Sequence, residues 1–185
     1  DESVLDTKPI ASTTVDLVTA VGIYTDAITI GSGSDNNYDF KDVANTFGVT
    51  KAMLTVTADF QTKVYGEANP ELTFKYSGFL NGDDENVLDI KPVASTIVDQ
   101  ATAVGTYTAA ITLDSGVDNN YDFKYMSNTF DVSKAMLTVT ADAKIKVYGE
   151  ANPELTFTYS GFLNGDDESV LDIKPVASTI VDQTT

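Results

Sequence analysis

The stretch Lys134-Ala135-Met136-Leu137-Thr138-Val139-Thr140-Ala141 decides how the rest of the chain is read. Ala135, Leu137, Val139 and Ala141 fall on one face of an extended strand, and Thr138 and Thr140 fall on the other. A period of two is the mark of a half-buried β-strand. The same eight residues stand at Lys51–Ala58, 83 positions earlier. Lys63–Leu72 recurs as Lys146–Leu155 at that offset, and the opening at Asp1 returns at Asp84 and again at Asp167. Residues 51–102 match 134–185 at 46 of 52 positions, and 1–50 match 84–133 at 34 of 50. The chain is a tandem array.

Unit boundaries are expected where one strand run ends and the next begins, at Thr50-Lys51 and Ser133-Lys134. On that phase, 51–133 is one complete 83-residue repeat. Residues 1–50 are then the C-terminal part of a preceding repeat, and 134–185 are the N-terminal part of a following one. Beginning and ending inside a unit is the pattern expected of a piece of a longer array. Further strands are predicted over Leu72–Tyr76, Gly105–Leu113 and Tyr121–Tyr125, with a last one through Phe130 and Val132. The partial repeats are expected to keep the same layout and register, with 1–50 supplying the later strands. Asn81-Gly82-Asp83-Asp84-Glu85 reads as a turn leading into one short helical turn capped by an Asp. Asp26, aligned with Ala109, breaks the alternation between Tyr24 and Ile28 and points to a strand edge or a bulge. Thr at 25 of 185 positions suits half-buried sheet. The expected fold class is all-β: small sandwich modules, immunoglobulin-like, each with one short helical turn. A β-grasp-like module is the alternative.

Composition excludes whole classes of chemistry. There are 11 bases, all lysine, against 28 acids, for a net charge of −17, with no Arg, His, Cys or Trp. Imidazole and thiolate catalysis, disulfides, and His/Cys metal or haem sites are therefore unavailable. So is bidentate phosphate clamping by Arg. The acidity argues against nucleic acid and anionic membrane surfaces as partners. No apolar run approaches the ~20 residues of a membrane span. With 42 % hydrophobic residues the chain can build a core.

Five ordered motifs carry a family resemblance: Lys51–Ala58, Lys63–Pro70 with its Lys-Val-Tyr-Gly-Glu, Tyr76–Asp83, Val104–Tyr107 and Asn120–Phe123. Together they resemble the MBG domain of the Tyr-Gly-x type, and the resemblance covers the whole chain. The family has Gly-Thr ahead of its last strand, where this chain has Asn45-Thr46 and Asn128-Thr129. The resemblance implies a tandem module of long bacterial surface or secreted proteins, often adhesin-like. It brings no catalytic residues.

Four residues are candidate calcium ligands: Asp114, Asp118, Asn120 and Asp122, with Asn119 between them. Oxygen donors at short spacing suit Ca²⁺, which takes about 6–8 of them. The plainer reading is a polar turn whose Asx side chains bond the backbone, since Asp114 is Gly31 in the earlier copy and the spacing is not that of an EF-hand. Tyr65-Gly66 with Asn69-Pro70 suits a loop that stacks a ligand on its tyrosine, or simply a turn. Lys51 or Lys134 with Asn128 supplies the residue types of a covalent Lys–Asn crosslink, against the plainer role of a charged strand end. Paired carboxylates in a module this small do not predict a glycosidase cleft. No enzyme activity and no cofactor are expected.

The expected role is structural, as a repeat segment of a long extracellular stalk or fibre on a bacterial surface. The expected partners are neighbouring repeats, which complete the half modules head to tail. The alternative is a multivalent array of weak glycan- or protein-binding adhesive modules, gaining by avidity.

Overall fold

A computed structural model describes residues 4–182. The chain is all-β and sandwich-like, with twelve strands among the described residues: β1 (Ile10–Thr13), β2 (Gly22–Gly31), β3 (Asn45–Val49), β4 (Ala52–Ala58), β5 (Gln61–Val64), β6 (Phe74–Ser77), β7 (Val93–Thr96), β8 (Gly105–Asp114), β9 (Tyr121–Met126), β10 (Asn128–Ser133), β11 (Thr138–Ala141) and β12 (Phe157–Ser160). They form four sheets, in the orders β1-β2-β3, β6-β4-β9, β5-β10-β8-β7 and β11-β12. Two 3₁₀ turns stand in equivalent places, at Glu85–Val87 and Glu168–Val170. Asp84 caps the first, its carboxylate accepting from the Asn86 N–H, and Asp167 caps the second in the same way from Ser169. Among the described residues no helix packs across a sheet, as an all-β fold has it.

Seven strands, β4 to β10, fall within 51–133. Leu54, Val56 and Ala58 of β4 are buried while Met53 and Thr57 are exposed, as the period of two requires. β4 pairs antiparallel with β6 and parallel with β9, where Leu54 faces Phe123 in register. β5 pairs parallel with β10, and β10 antiparallel with β8. The chain passes from one sheet to another across Asp59-Phe60, and again across Ser127.

Two compact units can be distinguished. The first takes the described chain up to Ala58, with Thr73–Ser95 and Thr112–Ser127. Its core is Leu54, Leu88 and Tyr121, packed by Ala52, Tyr76, Phe79 and Phe123. Phe79 meets Tyr121 edge-on at 5.5 Å. The second unit takes Asp59–Leu72, Thr96–Ile111 and the described chain from Asn128. Phe130, Ile111, Val98, Ala110 and Val132 are its buried side chains. Lys63, also buried, donates through Nζ to the carbonyls of Glu67 and Asp99.

The break in alternation is a bulge. Ala109 has φ 52° and Asp26 has φ 55°. The β8–β10 and β2–β3 registers shift at those places. Just upstream, the Tyr107 hydroxyl donates to the Ala103 carbonyl at 2.8 Å and that of Tyr24 to Ala20 at 2.7 Å, pinning each strand start.

The partial repeats keep the register but not every strand. Thr138↔Ser160 and Ala141↔Phe157 reproduce Thr55↔Ser77 and Ala58↔Phe74. Tyr24↔Phe47 reproduces Tyr107↔Phe130. Contrary to the expectation that 1–50 supplies all the later strands, residues 38–43, the counterpart of β9, form none. Nor do 144–147 and 176–179, the counterparts of β5 and β7. In each case the strand's partner in the complete repeat lies in the part that the fragment does not contain: β9 needs β4, β5 needs β10, and β7 needs β8. A strand without a ladder leaves its backbone groups unpaired, and sequence alone does not hold it extended. The apolar faces follow suit. Tyr38 is 63 % exposed where Tyr121 is 3 %, and Val139 is 39 % exposed where Val56 is 0 %.

Candidate functional site

The Asp118 turn is built by one carboxylate. Asp118 is buried, and its Oδ1 accepts from the backbone N–H groups of Asn120 at 2.7 Å and Tyr121 at 2.9 Å. Lys51 Nζ donates to the Asp118 carbonyl at 2.8 Å and lies 3.6 Å from the Asp122 carboxylate. Asn119 reaches across to Asp89 at 3.0 Å. In the earlier copy Asp35 accepts from the Asn37 N–H at 2.7 Å, the same Asx turn. The candidate calcium ligands each have protein partners. Asp114, at the end of β8, accepts from the Ser115 hydroxyl at 2.5 Å, and Asp122 faces solvent beside Lys51. Among the described residues no three acidic side chains converge as a metal site would need. The Asn128 side chain accepts from the Thr129 N–H at 2.8 Å.

Asn120 has a different task. Its Oδ1 accepts the Val21 N–H at 2.9 Å, a contact from the complete repeat to the one before it. A second contact at that junction comes from the turn Leu80-Asn81-Gly82-Asp83. Asn81 and Gly82 both have positive φ, 56° and 82°, and the Asp83 N–H closes the turn on the Leu80 carbonyl at 2.9 Å. This is the Asn-Gly pairing that a tight left-handed turn selects. The Asn81 side chain then donates to the Leu17 carbonyl at 2.8 Å. One repeat later the same geometry returns: Asn164 and Gly165 have φ 56° and 80°, and Asn164 donates to the Gln100 carbonyl at 3.2 Å. The two contacts are 83 residues apart at both ends, although Leu17 has become Gln100. Using a backbone carbonyl as acceptor makes the contact indifferent to that change.

The Tyr65-Gly66 loop, read from the sequence as a turn or a ligand loop, is a turn that meets the next repeat. Gly66 has φ 84°, and the Glu67 N–H returns to the Val64 carbonyl at 3.1 Å. The Tyr65 hydroxyl donates to Asp166 Oδ2 at 3.0 Å. Within the complete repeat the corresponding carboxylate, Asp83, accepts from the Tyr121 hydroxyl at 2.7 Å. Burial pushes the Tyr121 phenol above its ordinary pKa, and the neighbouring Asp83 carboxylate adds to the shift.

The MBG domain (YGX type) model matches residues 54–131 and 137–185. The chain belongs to that family. The MBG matches start at Leu54 and Leu137, an interval of 83 residues, so each opens at the same point of the repeat. Membership places the chain among repeat modules of surface proteins. No curated protein and no solved structure matches it. Sequence reasoning did not find the side-chain amides that join MBG repeats, those of Asn81, Asn120 and Asn164. The sequence marks Asn81 as a turn former and Asn120 as a turn residue or calcium candidate, both within family motifs, and neither as a junction contact.

Proposed function

We propose that this chain is a segment of an extracellular stalk or fibre on a bacterial surface, non-catalytic, whose β modules serve as spacers joined to one another by a repeated contact. The observation that carries the reading is the recurrence of the amide-to-carbonyl bond at both junctions, Asn81 to Leu17 and Asn164 to Gln100. A module whose job is to bind something else has no need to reproduce its neighbour contact with an 83-residue period. The absence of glycine and proline between Val132 and Leu137 also favours a short, stiff passage between repeats.

The partner of each half repeat, in this reading, is the complementary half of a neighbouring repeat. Residues 134–185 carry the counterparts of β4 and β6, and residues 1–50 carry those of β8 and β10. A contact joining different surfaces of identical units propagates head to tail. High negative charge keeps such assemblies from clumping sideways. The adhesive alternative gains little support from the aromatic side chains: Tyr38 and Tyr148 are exposed in the partial repeats, but their counterparts Tyr121 and Tyr65 are buried and half-buried in the complete one, and its exposed Phe60 is Ala143 in the next copy.

Sedimentation velocity over a range of chain concentrations tests this reading. Growth into elongated oligomers, together with no binding on a glycan array, is the expected result. A monodisperse chain that binds a defined glycan through each repeat would overturn it in favour of the adhesive array.

A further inference from the structure

We propose that the Tyr-Gly loop is a socket for the Leu-Asn-Gly-Asp turn of the following repeat, and that Tyr148-Gly149 receives the Leu80–Asp83 turn of a second copy of this chain. The proposal rests on the self-joining reading above and names the residues through which joining occurs.

The occupied socket is seen once. Leu163 lies on the face of Gly66 so closely that a Cβ there would come within 2.5 Å of the Leu163 Cβ and 2.8 Å of its Cδ1. Glycine at position 66 is thus required twice, for φ 84° and for the leucine above it. Gln100 Nε2 donates to the Gly66 carbonyl at 2.9 Å and fixes the loop. Tyr65 completes the grip by donating to Asp166. Beside it runs a cleft of about 290 Å³ lined in part by Val104, Ala135, Leu163 and Asp166.

The same socket stands uncovered one repeat later. Lys146–Leu155 is identical to Lys63–Leu72, and Gly149 has φ 86°. A Cβ on Gly149 would meet nothing within 4 Å, and Tyr148 is 88 % exposed. The matching plug is held by Tyr121 of its own repeat and meets no counterpart of Tyr65 among the described residues. Leu80-Asn81-Gly82-Asp83 is identical to Leu163-Asn164-Gly165-Asp166, and Leu80 is 54 % exposed. A second cleft of about 290 Å³ adjoins it, with Val21, Ala52, Leu80 and Asp83 in its lining, each 83 residues before its counterpart beside Tyr65. Asp83 already accepts from Tyr121, but a carboxylate has about four acceptor sites and takes a second hydroxyl without losing the first. Socket and plug lie on different parts of the chain, so their pairing joins one copy to the next and cannot close on a dimer without a ring.

The test is self-association of the whole chain and of Tyr148→Ala, Leu80→Ala and the double variant, by sedimentation equilibrium up to roughly 1 mM, the range of weak contacts. Tyr148 is exposed in the single chain, so its loss leaves the fold intact. Each single substitution should weaken association about tenfold, as expected for truncating a contact side chain at an interface centre. The double variant should fall well short of the roughly hundredfold product, because the two side chains serve one contact. Wild-type association that neither variant weakens, or weakening that simply multiplies, overturns the socket while leaving self-joining intact. A chain that stays monomeric throughout overturns self-joining, and the intermolecular socket with it. A Gly66→Val chain supplies the readout within one molecule: the Asp166 amide, bonded to the Leu163 carbonyl, should lose its protection from hydrogen exchange, and unchanged protection there counts against the socket whatever the oligomer does.

Discussion

Val56→Ala should destabilise the complete repeat by about 2–3 kcal/mol, while the identical change at Val139 should cost less than about 1 kcal/mol. Both valines sit in the motif Leu-Thr-Val-Thr-Ala, and both pair with a tyrosine in register, Val56 with Tyr76 and Val139 with Tyr159. They differ in what surrounds them. Val56 is fully buried on a strand flanked by β6 and β9, whereas Val139 is 39 % exposed on a strand paired with β12 alone. Removing two buried methyl equivalents forfeits about 1.6 kcal/mol of transfer energy, and the residual cavity adds roughly another 1 kcal/mol. At Val139 part of the first term is absent, and an open site leaves no cavity. Urea titrations of dilute chain, followed by tyrosine signals and far-ultraviolet circular dichroism, give both values. The first change corresponds to a fall in melting temperature of about 10 °C for a module of this size. Equal penalties in dilute solution would refute the reasoning, because Val139 would then be covered within a single chain.

Ala109→Gly should stabilise the protein by about 1 kcal/mol, since Ala109 holds φ 52° at the bulge, and a melting temperature that does not rise would deny that strain. Burial holds the Tyr76 and Tyr121 phenols above their ordinary pKa. Their stabilising contribution is therefore complete below about pH 10 and lost as pH climbs through the folded values; absorbance at alkaline pH should show late ionisation coinciding with unfolding, and early ionisation of a folded chain would contradict it. Millimolar calcium should leave the melting temperature unchanged, because Asp118 is committed to the Asn120 and Tyr121 N–H groups; a rise of many degrees would overturn the turn reading.

The strongly alternating strands were legible in the sequence, and so was the capped turn at Asp84. β4, β8 and β9 announce themselves through Leu54 and Val56, the Thr- and Ile-rich run from Gly105, and the Tyr121-Phe123-Tyr125 series. The register of the partial repeats was legible as well, because the repeat offset carries it. β5 and β7 were not. Gln61-Thr62-Lys63-Val64 has a buried lysine where the pattern calls for an apolar residue, and its carbonyl partners, Glu67 and Asp99, come from turns that sequence does not bring together. Val93-Ala94-Ser95-Thr96 is too short and mixed to show a period. The missing strand at 38–43 was hidden for the opposite reason. Tyr38-Asp39-Phe40-Lys41 is identical to Tyr121-Asp122-Phe123-Lys124, and whether it becomes a strand depends on a partner, which no local pattern encodes. At the junction, the Asn-Gly turn was visible but its amide's target, a backbone carbonyl 64 residues away, was not.

Hydrogen exchange across Asp39–Val43, measured on the intact chain at low and at high concentration, bears most directly on the idea that half repeats are completed by their neighbours. In the dilute chain these amides have no ladder and should exchange freely. If the matching half of a second copy supplies the missing β4 counterpart, their protection should rise with concentration toward that of Asp122–Met126, which lie in a strand paired with β4. Oligomers that form while Asp39–Val43 continues to exchange at the free rate would contradict the account.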